Sequence, residues 1–134
     1  MSEPPARADV DARTIYEAAG GAETFHRLVD RFYEGVAGDP VLRPLYPDDL
    51  SASRRHLALF LTQYFGGPAT YSEERGHPRL RMRHLPFPIG QAQRDAWMRH
   101  MRDAVESAEL PEPVSAALLD YFERAATFLM NRAS

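Results

Sequence analysis

The sequence contains no cysteine among its 134 residues. This absence excludes disulfides, cysteine-ligated zinc, iron–sulfur clusters and thiol nucleophiles. Lysine is also absent, because all 16 basic residues are arginines, so neither a Schiff-base lysine nor the lysine of a phosphate-binding P-loop is available. No apolar run approaches the roughly 20 residues that a membrane-spanning helix needs. Several large classes of enzyme and membrane protein are therefore excluded.

The remaining composition predicts one ordinary globular domain. A net charge of −3 offers no general attraction for nucleic acid or an anionic membrane. Residues 1–13 are polar, include Pro4 and Pro5 and lack an apolar core. We therefore expect a mobile tail there, rather than a signal peptide, followed by a single domain over residues 14–134. These features predict a cytoplasmic protein.

Apolar residues recur with helical spacing in four long segments, and no segment alternates as a strand does. The four predicted helices cover residues 25–36, a stretch from Ser51 or Ser53 to Phe65, and residues 91–108 and 114–129. We expect Thr24 to be the N-cap of the first, and the aromatic residues of the stripes, Tyr64 among them, to be buried. We expect a single helical turn at residues 16–19, a loop over residues 68–77 and a short helix over residues 78–84. The predicted fold class is all-α.

Five histidines are the remaining soft metal ligands, and no two of them lie three or four residues apart. A zinc site needs three or four ligands, whereas haem needs a single axial ligand from the protein. The spacing thus disfavours zinc and leaves haem open, although a lone histidine is usually an ordinary core or surface residue. His84 stands out because it ends a short segment between Pro78 and Pro86, which holds its side chain rigidly.

Four arginines, Arg75, Arg79, Arg81 and Arg83, surround that segment. Such a cluster can bind phosphate, nucleic acid or the carboxylates of haem, although a solvated charged face is the usual outcome. From the residues alone, an alternative therefore remains open: a cofactor-free helical interaction module whose binding surface is the 75–83 segment.

Several strings resemble group II truncated haemoglobins over nearly the whole stretch from Tyr16 to about Leu129. The most specific run is TYSEERGHPRLRMRH at residues 70–84, followed at a distance by RDAW at 94–97. Shorter matching strings are YEAAGG at 16–21, RFYEGV at 31–36, DPVLRPLYP at 39–47 and QYFGGP at 63–68. The resemblance implies a two-over-two helical sandwich around haem b.

The resemblance also implies roles for individual residues. By this resemblance, His84 is the iron ligand. The distal aromatic residues correspond to Tyr33, Tyr46 and Trp97, and the haem-facing stripe corresponds to Ser53, Leu57 and Phe60. Candidates for the haem propionates are Tyr71, His77 and Arg83.

The sequence departs from the family pattern at three positions. Ser53 stands where alanine is usual, Phe65 where tryptophan is frequent, and His56 where an arginine commonly reaches a propionate. The segment from Tyr46 to Phe65 is also one residue shorter.

The implied function is binding of dioxygen, carbon monoxide or nitric oxide at a single-histidine haem. Several hydrogen-bond donors around the ligand predict slow oxygen release, which suits sensing, storage or redox chemistry better than bulk transport. Nitric oxide dioxygenation or a peroxidase-like reaction would need a separate reductase, because the sequence shows no flavin or nicotinamide domain. The oligomeric state is left open, and a homo-oligomer is compatible with the sequence.

Overall fold

The computed structural model describes residues 12–133, and all regular structure in this range is helical. The helices are α1 (Ala12–Ala19), α2 (Ala22–Ala37), α3 (Ser51–Tyr64), α4 (Thr70–Arg75), α5 (Leu80–His84), α6 (Gln91–Ser107) and α7 (Glu112–Phe128). A 3₁₀ turn, Arg43–Leu45, lies between α2 and α3. The predicted all-α class is confirmed. Within these residues no helix has the length and apolarity needed to cross a membrane.

The predicted N-terminal tail, residues 1–13, lies outside the described residues except for its last two. Those two residues begin α1, which is therefore longer than the single turn predicted over residues 16–19.

Two pairs of long helices form the two layers of the fold. Helix α2 packs against α3 and α6, and α6 packs against α7. The side chains that join these helices are among the least exposed of the described residues: Phe25, Leu28, Phe32, Val36, Leu61, Met101, Val105, Leu118 and Phe122. Burying one side chain of this size stabilises a fold by about 1.5–3 kcal/mol. The helical periodicity of the four long segments therefore supplies the core.

The start of α2 differs from the prediction. The helix begins at Ala22 with Gly21 as its N-cap, so the prediction that Thr24 caps it is wrong. Gly21 has a φ of 85°, a conformation that glycine adopts without strain. Because the chain reverses at this glycine, Thr24 falls inside the first turn, where it is buried and its hydroxyl accepts a hydrogen bond from Arg27 (3.4 Å).

The prediction of a loop over residues 68–77 is also wrong, because this segment contains α4. Tertiary contacts hold this short helix. The Gln63 side chain donates to Ser72 Oγ (2.7 Å) and accepts from the Ser72 amide (2.9 Å). Tyr71 lies on the inner side of α4 and is buried, and Glu74 lies on the outer side of the helix and pairs with Arg55. Six residues are too few to show an apolar period, so only these contacts make the segment helical.

The corner after α2 is held by one buried carboxylate. Asp39 is 5% exposed, and its Oδ1 accepts hydrogen bonds from the amides of Val41 (2.8 Å) and Leu42 (3.4 Å). Its Oδ2 accepts from His100 Nε2 (2.7 Å) and from Arg99 (3.1 Å), both on α6. We call this set, Asp39 with His100 and Arg99, the corner clamp. It ties the corner to α6.

The pKa of Asp39 reflects this arrangement. Burial alone would raise it, but the hydrogen bonds from His100, Val41 and Leu42 outweigh burial and hold the pKa below its ordinary value of 3.8. The backbones of α2 and α6 also approach closely at the clamp. A Cβ atom added at Gly35 would lie 2.2 Å from His100 Nδ1, so only glycine leaves room for the histidine.

Candidate functional site

A cavity of about 370 Å³ lies among helices α2 to α7. Its size is in the range typical of small-molecule and cofactor sites. Nine of the ten residues predicted from the resemblance line it: Tyr33, Tyr46, Ser53, Leu57, Phe60, Tyr71, Arg83, His84 and Trp97.

His77 is the exception. It is exposed and is not among the cavity-lining residues, and its Nδ1 accepts a hydrogen bond from the Arg79 amide (3.1 Å). The structure gives no support to its predicted contact with a propionate.

His84 is half-buried at the end of α5, and its ring has a fixed orientation. Its Nδ1 lies 2.6 Å from the carbonyl oxygen of Leu80, one turn earlier in the same helix. Since a carbonyl can only accept, Nδ1 carries the proton and Nε2 keeps a free lone pair. Histidines that bind metals almost always donate their other ring N–H in this way.

The segment after His84 is held by a residue that the sequence analysis did not single out. The Asn131 side chain, beyond the end of α7, donates to the carbonyls of Phe87 (2.8 Å) and His84 (3.3 Å). Its Oδ1 accepts from the Ile89 amide (2.9 Å). Three bonds from one amide thus tie the turn behind His84 to the end of the chain, 47 residues away from His84.

Tyr33, Tyr46 and Trp97 form a second polar region of the cavity, which we call the polar aromatic cluster. Tyr33 lies on α2, Tyr46 in the corner and Trp97 on α6. The rings of Tyr33 and Tyr46 meet edge to face at 5.6 Å between centroids. Phe32 supports the cluster from behind, since its ring contacts Tyr33 at 5.0 Å and Trp97 at 5.3 Å.

The phenol groups of this cluster are coupled. Burial raises the pKa of Tyr46 to about 12, an effect partly offset by hydrogen bonding from Trp97 and Tyr33. Burial also raises the pKa of Tyr33, and the neighbouring Tyr46 adds to the shift. Both phenols therefore stay protonated at neutral pH. Hydrogen bonding with both Trp97 and Tyr33 places Tyr46 at the centre of the cluster, and the three side chains are the polar donors that this part of the cavity offers to a ligand.

Basic side chains stand at the rim of the cavity beside α4 and α5. Arg75 and Arg83 both line the cavity, and Arg75 contacts His56 Nε2 at 3.1 Å. Burial lowers the pKa of His56, and the charges of Arg75 and Arg55 lower it further. The imidazole is consequently neutral at pH 7, and the positive charge at the rim comes from the arginines.

Much of the apolar wall comes from residues that sequence reasoning did not assign to the site. They are Leu42, Leu45, Ile89, Tyr121, Phe122, Ala125, Ala126 and Leu129. Several of these belong to the helical stripe of α7, whose period predicts burial but does not distinguish a core position from a cavity wall.

These residues fit haem. A largely apolar cavity suits the porphyrin faces, and His84 presents one oriented imidazole nitrogen, which is all the iron requires from the protein. The arginines at the rim suit the two carboxylates at the edge of the porphyrin, because guanidinium and carboxylate groups pair through two parallel hydrogen bonds.

Comparisons with known proteins agree with this geometry. Residues 14–131 match the family described as bacterial-like globin. The group 2 truncated haemoglobin YjbI of Bacillus subtilis is 46% identical over 117 residues, which are 87% of this chain and 88% of that protein. The crystal structure of a haemoglobin from Chloroflexus aurantiacus is 58% identical, with a TM-score of 0.87, and covers 88% of this chain and 98% of its own. A thermostable haemoglobin from Thermobifida fusca is 55% identical, with a TM-score of 0.88, over 90% of this chain and 98% of its own.

The family match spans most of the chain, and the relatives align over nearly their whole length. The resemblance first seen in the motifs is therefore confirmed across the helices, the cavity and the chain as a whole. This protein belongs to the bacterial-like globins, among the group 2 truncated haemoglobins.

Proposed function

We propose that this globin binds dioxygen reversibly at a haem b whose iron is ligated by His84, and that the polar aromatic cluster stabilises the gas. Haem and oxygen binding follow from family membership, and the roles of the individual residues are the proposal. The family thereby decides between the two hypotheses that the residues alone left open, against a cofactor-free interaction module.

The observation that carries the proposal is the bond between His84 Nδ1 and the Leu80 carbonyl. It fixes the tautomer and leaves the lone pair on Nε2, and His84 lines the cavity, so this nitrogen is the one available to a metal. Haem held there by His84 would supply an iron able to bind a diatomic gas and to transfer partial negative charge to it. Of the five histidines, only His56 and His84 line the cavity, and the Nε2 atom of His56 is in contact with Arg75.

The polar aromatic cluster supplies the donors. Partial negative charge on bound dioxygen is stabilised by oriented O–H and N–H groups in a dry pocket. Tyr33, Tyr46 and Trp97 each carry one such group, and hydrogen bonding with Trp97 and Tyr33 helps to hold Tyr46 in place. Ser53 lines the same cavity and hydrogen-bonds with Tyr33, which extends the network by one hydroxyl.

Arg75 and Arg83 are the residues best placed to bind the haem carboxylates, with Tyr71 beside them. The Arg83 guanidinium is held by the carbonyls of Pro78 (2.8 Å) and Arg75 (3.3 Å), so its position is set before haem arrives. Arg75 lies over the Tyr71 ring, with 6.0 Å between the guanidinium carbon and the ring centroid.

A visible spectrum of the purified protein with added hemin tests the proposal. We expect a Soret band in the wild type, a five-coordinate ferrous spectrum after reduction, and loss of that spectrum in His84→Ala. Imidazole in the buffer should restore an axial ligand to the variant. His26→Ala serves as the control, because His26 is exposed and does not line the cavity. An unchanged ferrous spectrum in His84→Ala would exclude His84 as the ligand.

The finer assignments stay predictions. Nitric oxide dioxygenation, peroxidase-like chemistry, a separate reductase, a cytoplasmic location and a homo-oligomeric state are compatible with the site, but no contact in the described residues favours one of them over the others.

A further inference from the structure

Tyr64 and Tyr121 form an unusual pair at the edge of the haem cavity. Tyr121, on α7, lines the cavity. Its ring lies 4.4 Å from that of Tyr64, at the end of α3, with a tilt of 35°. Tyr64 is 46% exposed, although its position on the apolar stripe of α3 predicts burial. Two tyrosines in contact therefore span the distance from the cavity to solvent.

No other tyrosine offers such a route. All six tyrosines lie within the described residues, and Tyr64 is the only one classed as exposed. Tyr33 and Tyr71 are buried in the cavity wall, and Tyr46 is half-buried in the corner. Tyr16 is half-buried but does not line the cavity.

The aromatic packing continues inwards from the pair. Phe122 contacts both Tyr121 (5.6 Å) and Trp97 (5.8 Å) between ring centroids. The indole of the polar aromatic cluster is thus joined to the exposed phenol through aromatic rings alone. Tyrosine and tryptophan are the side chains most readily oxidised by one electron, and electrons move efficiently between aromatic rings in van der Waals contact.

We propose that Tyr121 and Tyr64 carry one-electron oxidising equivalents from the haem cavity to the surface, and that Tyr64 is the site at which peroxide oxidises phenolic donors too large for the cavity. The proposal rests on the proposed function, because hydrogen peroxide must react at bound haem. Tyr121 passes one electron inwards and is restored by one electron from Tyr64. The Tyr64 phenol then loses its proton to water.

The reaction balances when two phenols are oxidised for each molecule of hydrogen peroxide. Hydrogen peroxide takes up two electrons and two protons, its O–O bond breaks and two water molecules form. Each phenol supplies one electron and one proton. When the only phenol available is Tyr64 of a second copy of this chain, the two rings join through a new carbon–carbon bond, which gives a covalent dityrosine dimer.

The proton chemistry favours Tyr64 over Tyr121 as the end of the route. Burial raises the pKa of Tyr121 to about 12, and the neighbouring Tyr64 contributes to the shift, whereas Arg124 opposes it. Within the described residues the Tyr121 hydroxyl makes no hydrogen bond to a base, so it does not release its proton readily. The exposed phenol has solvent as its proton acceptor.

The test treats the ferric holoprotein with hydrogen peroxide and measures covalent dimer on a denaturing gel, dityrosine fluorescence and the cross-linked peptide by mass spectrometry. Tyr64→Phe and Tyr121→Phe keep the rings and remove the oxidisable hydroxyls. Tyr16→Phe is the matched control. Tyr16 is connected to Tyr121 by ring contacts through Phe25 and Phe65, but it does not line the cavity. The Soret band and the consumption of peroxide are recorded for each protein.

We expect a Tyr64–Tyr64 dimer in the wild type and in Tyr16→Phe, and loss of the dimer in Tyr64→Phe and Tyr121→Phe with the Soret band intact. Dimer that persists in Tyr64→Phe, or that persists in Tyr121→Phe, overturns the route. A wild type that keeps its Soret band and consumes peroxide without forming dimer also overturns it. A wild type that never shows a Soret band overturns the proposed function itself, and the inference with it.

Discussion

The two polar regions of the cavity are built in different ways. The polar aromatic cluster sits on long helices and a clamped corner, so its side chains are positioned by the core of the fold. His84 sits on a five-residue helix in a mostly exposed segment, and hydrogen bonds to Leu80, one turn earlier, and to Asn131, at the far end of the chain, position it. A helix this short has no independent stability. The gas-binding region is thus assembled by folding, whereas the ligand region depends on a few individual hydrogen bonds.

The largest effect that sharpens this contrast should come from the corner clamp. Asp39→Ala removes a buried carboxylate that accepts two backbone amides and pairs with His100. We expect the free energy of unfolding to fall by about 2–4 kcal/mol, measured by denaturant titration of the apoprotein and holoprotein. Asp103→Ala is the control, because Asp103 joins α6 to Arg31 of α2 in an exposed pair, and such pairs contribute little to stability.

The same carboxylate gives a pH dependence of known sign. Because folding lowers the pKa of Asp39 below 3.8, its stabilising effect is complete above that pH and is lost as the pH falls through the folded value. The difference in stability between wild type and Asp39→Ala should therefore shrink as the pH falls into strong acid. A difference that grew on acidification would contradict the clamp.

Next in size is the effect of the indole donor. Trp97→Phe keeps an aromatic ring and removes the N–H, and a hydrogen bond to a charged group is worth about 1.5–3 kcal/mol. Oxygen dissociation measured by stopped flow should accelerate by roughly 10-fold to 150-fold. Carbon monoxide carries less charge when bound, so its release should change less. Equal acceleration of both gases would mean that the indole only fills space.

A double-mutant cycle between Trp97→Phe and Tyr46→Phe shows how the indole acts. If Trp97 works by donating to Tyr46, the two effects on oxygen release will be strongly non-additive. Additive effects would mean that both groups donate to the gas independently, and would remove Tyr46 from its central place in the cluster.

A smaller effect is expected on the His84 side. Asn131→Ala removes three bonds from a half-buried side chain and should lower stability by about 1–2 kcal/mol, while hemin transfers faster to excess apomyoglobin. Asn131→Asp keeps the acceptor for the Ile89 amide and loses both N–H donors. Its stability should therefore lie between that of the wild type and that of Asn131→Ala. Hemin loss at the wild-type rate in Asn131→Ala would break the contrast between the two regions.

The smallest effect is expected at His77. Because this side chain is exposed and outside the cavity, His77→Ala should change stability by less than about 0.5 kcal/mol and leave hemin transfer unchanged. Markedly faster hemin loss in this variant would support the propionate contact that the resemblance implies.

Strong helical periods made the four long helices predictable, and the motif around His84 located most of the cavity. Two kinds of feature escaped. Helix α4 is too short to show a period, and Thr24 has the side chain of an N-cap but lies beyond a glycine that starts the helix earlier. Contacts between residues distant in the chain also escaped, since Asp39 and His100 are 61 residues apart and nothing in their local strings pairs them.

Tyr64 escaped for a third reason. A helical stripe predicts which residues share a face, but not how much of each residue the neighbouring helices cover. Tyr64, the last residue of α3, contacts Tyr121 of α7 and is still 46% exposed. Periodicity therefore predicts the direction of a side chain better than its final exposure.

The close approach of α2 and α6 at Gly35 has a consequence for protein engineering. The missing side chain of Gly35 makes room for His100, and His100 holds the corner that carries Tyr46. A library that varies the gas-binding residues should therefore keep three positions outside the cavity, Gly35, Asp39 and His100, because changes there lower the stability of every variant. Oxygen affinity in this scaffold can be tuned through side chains of the cavity, while the backbone that carries them depends on these three residues.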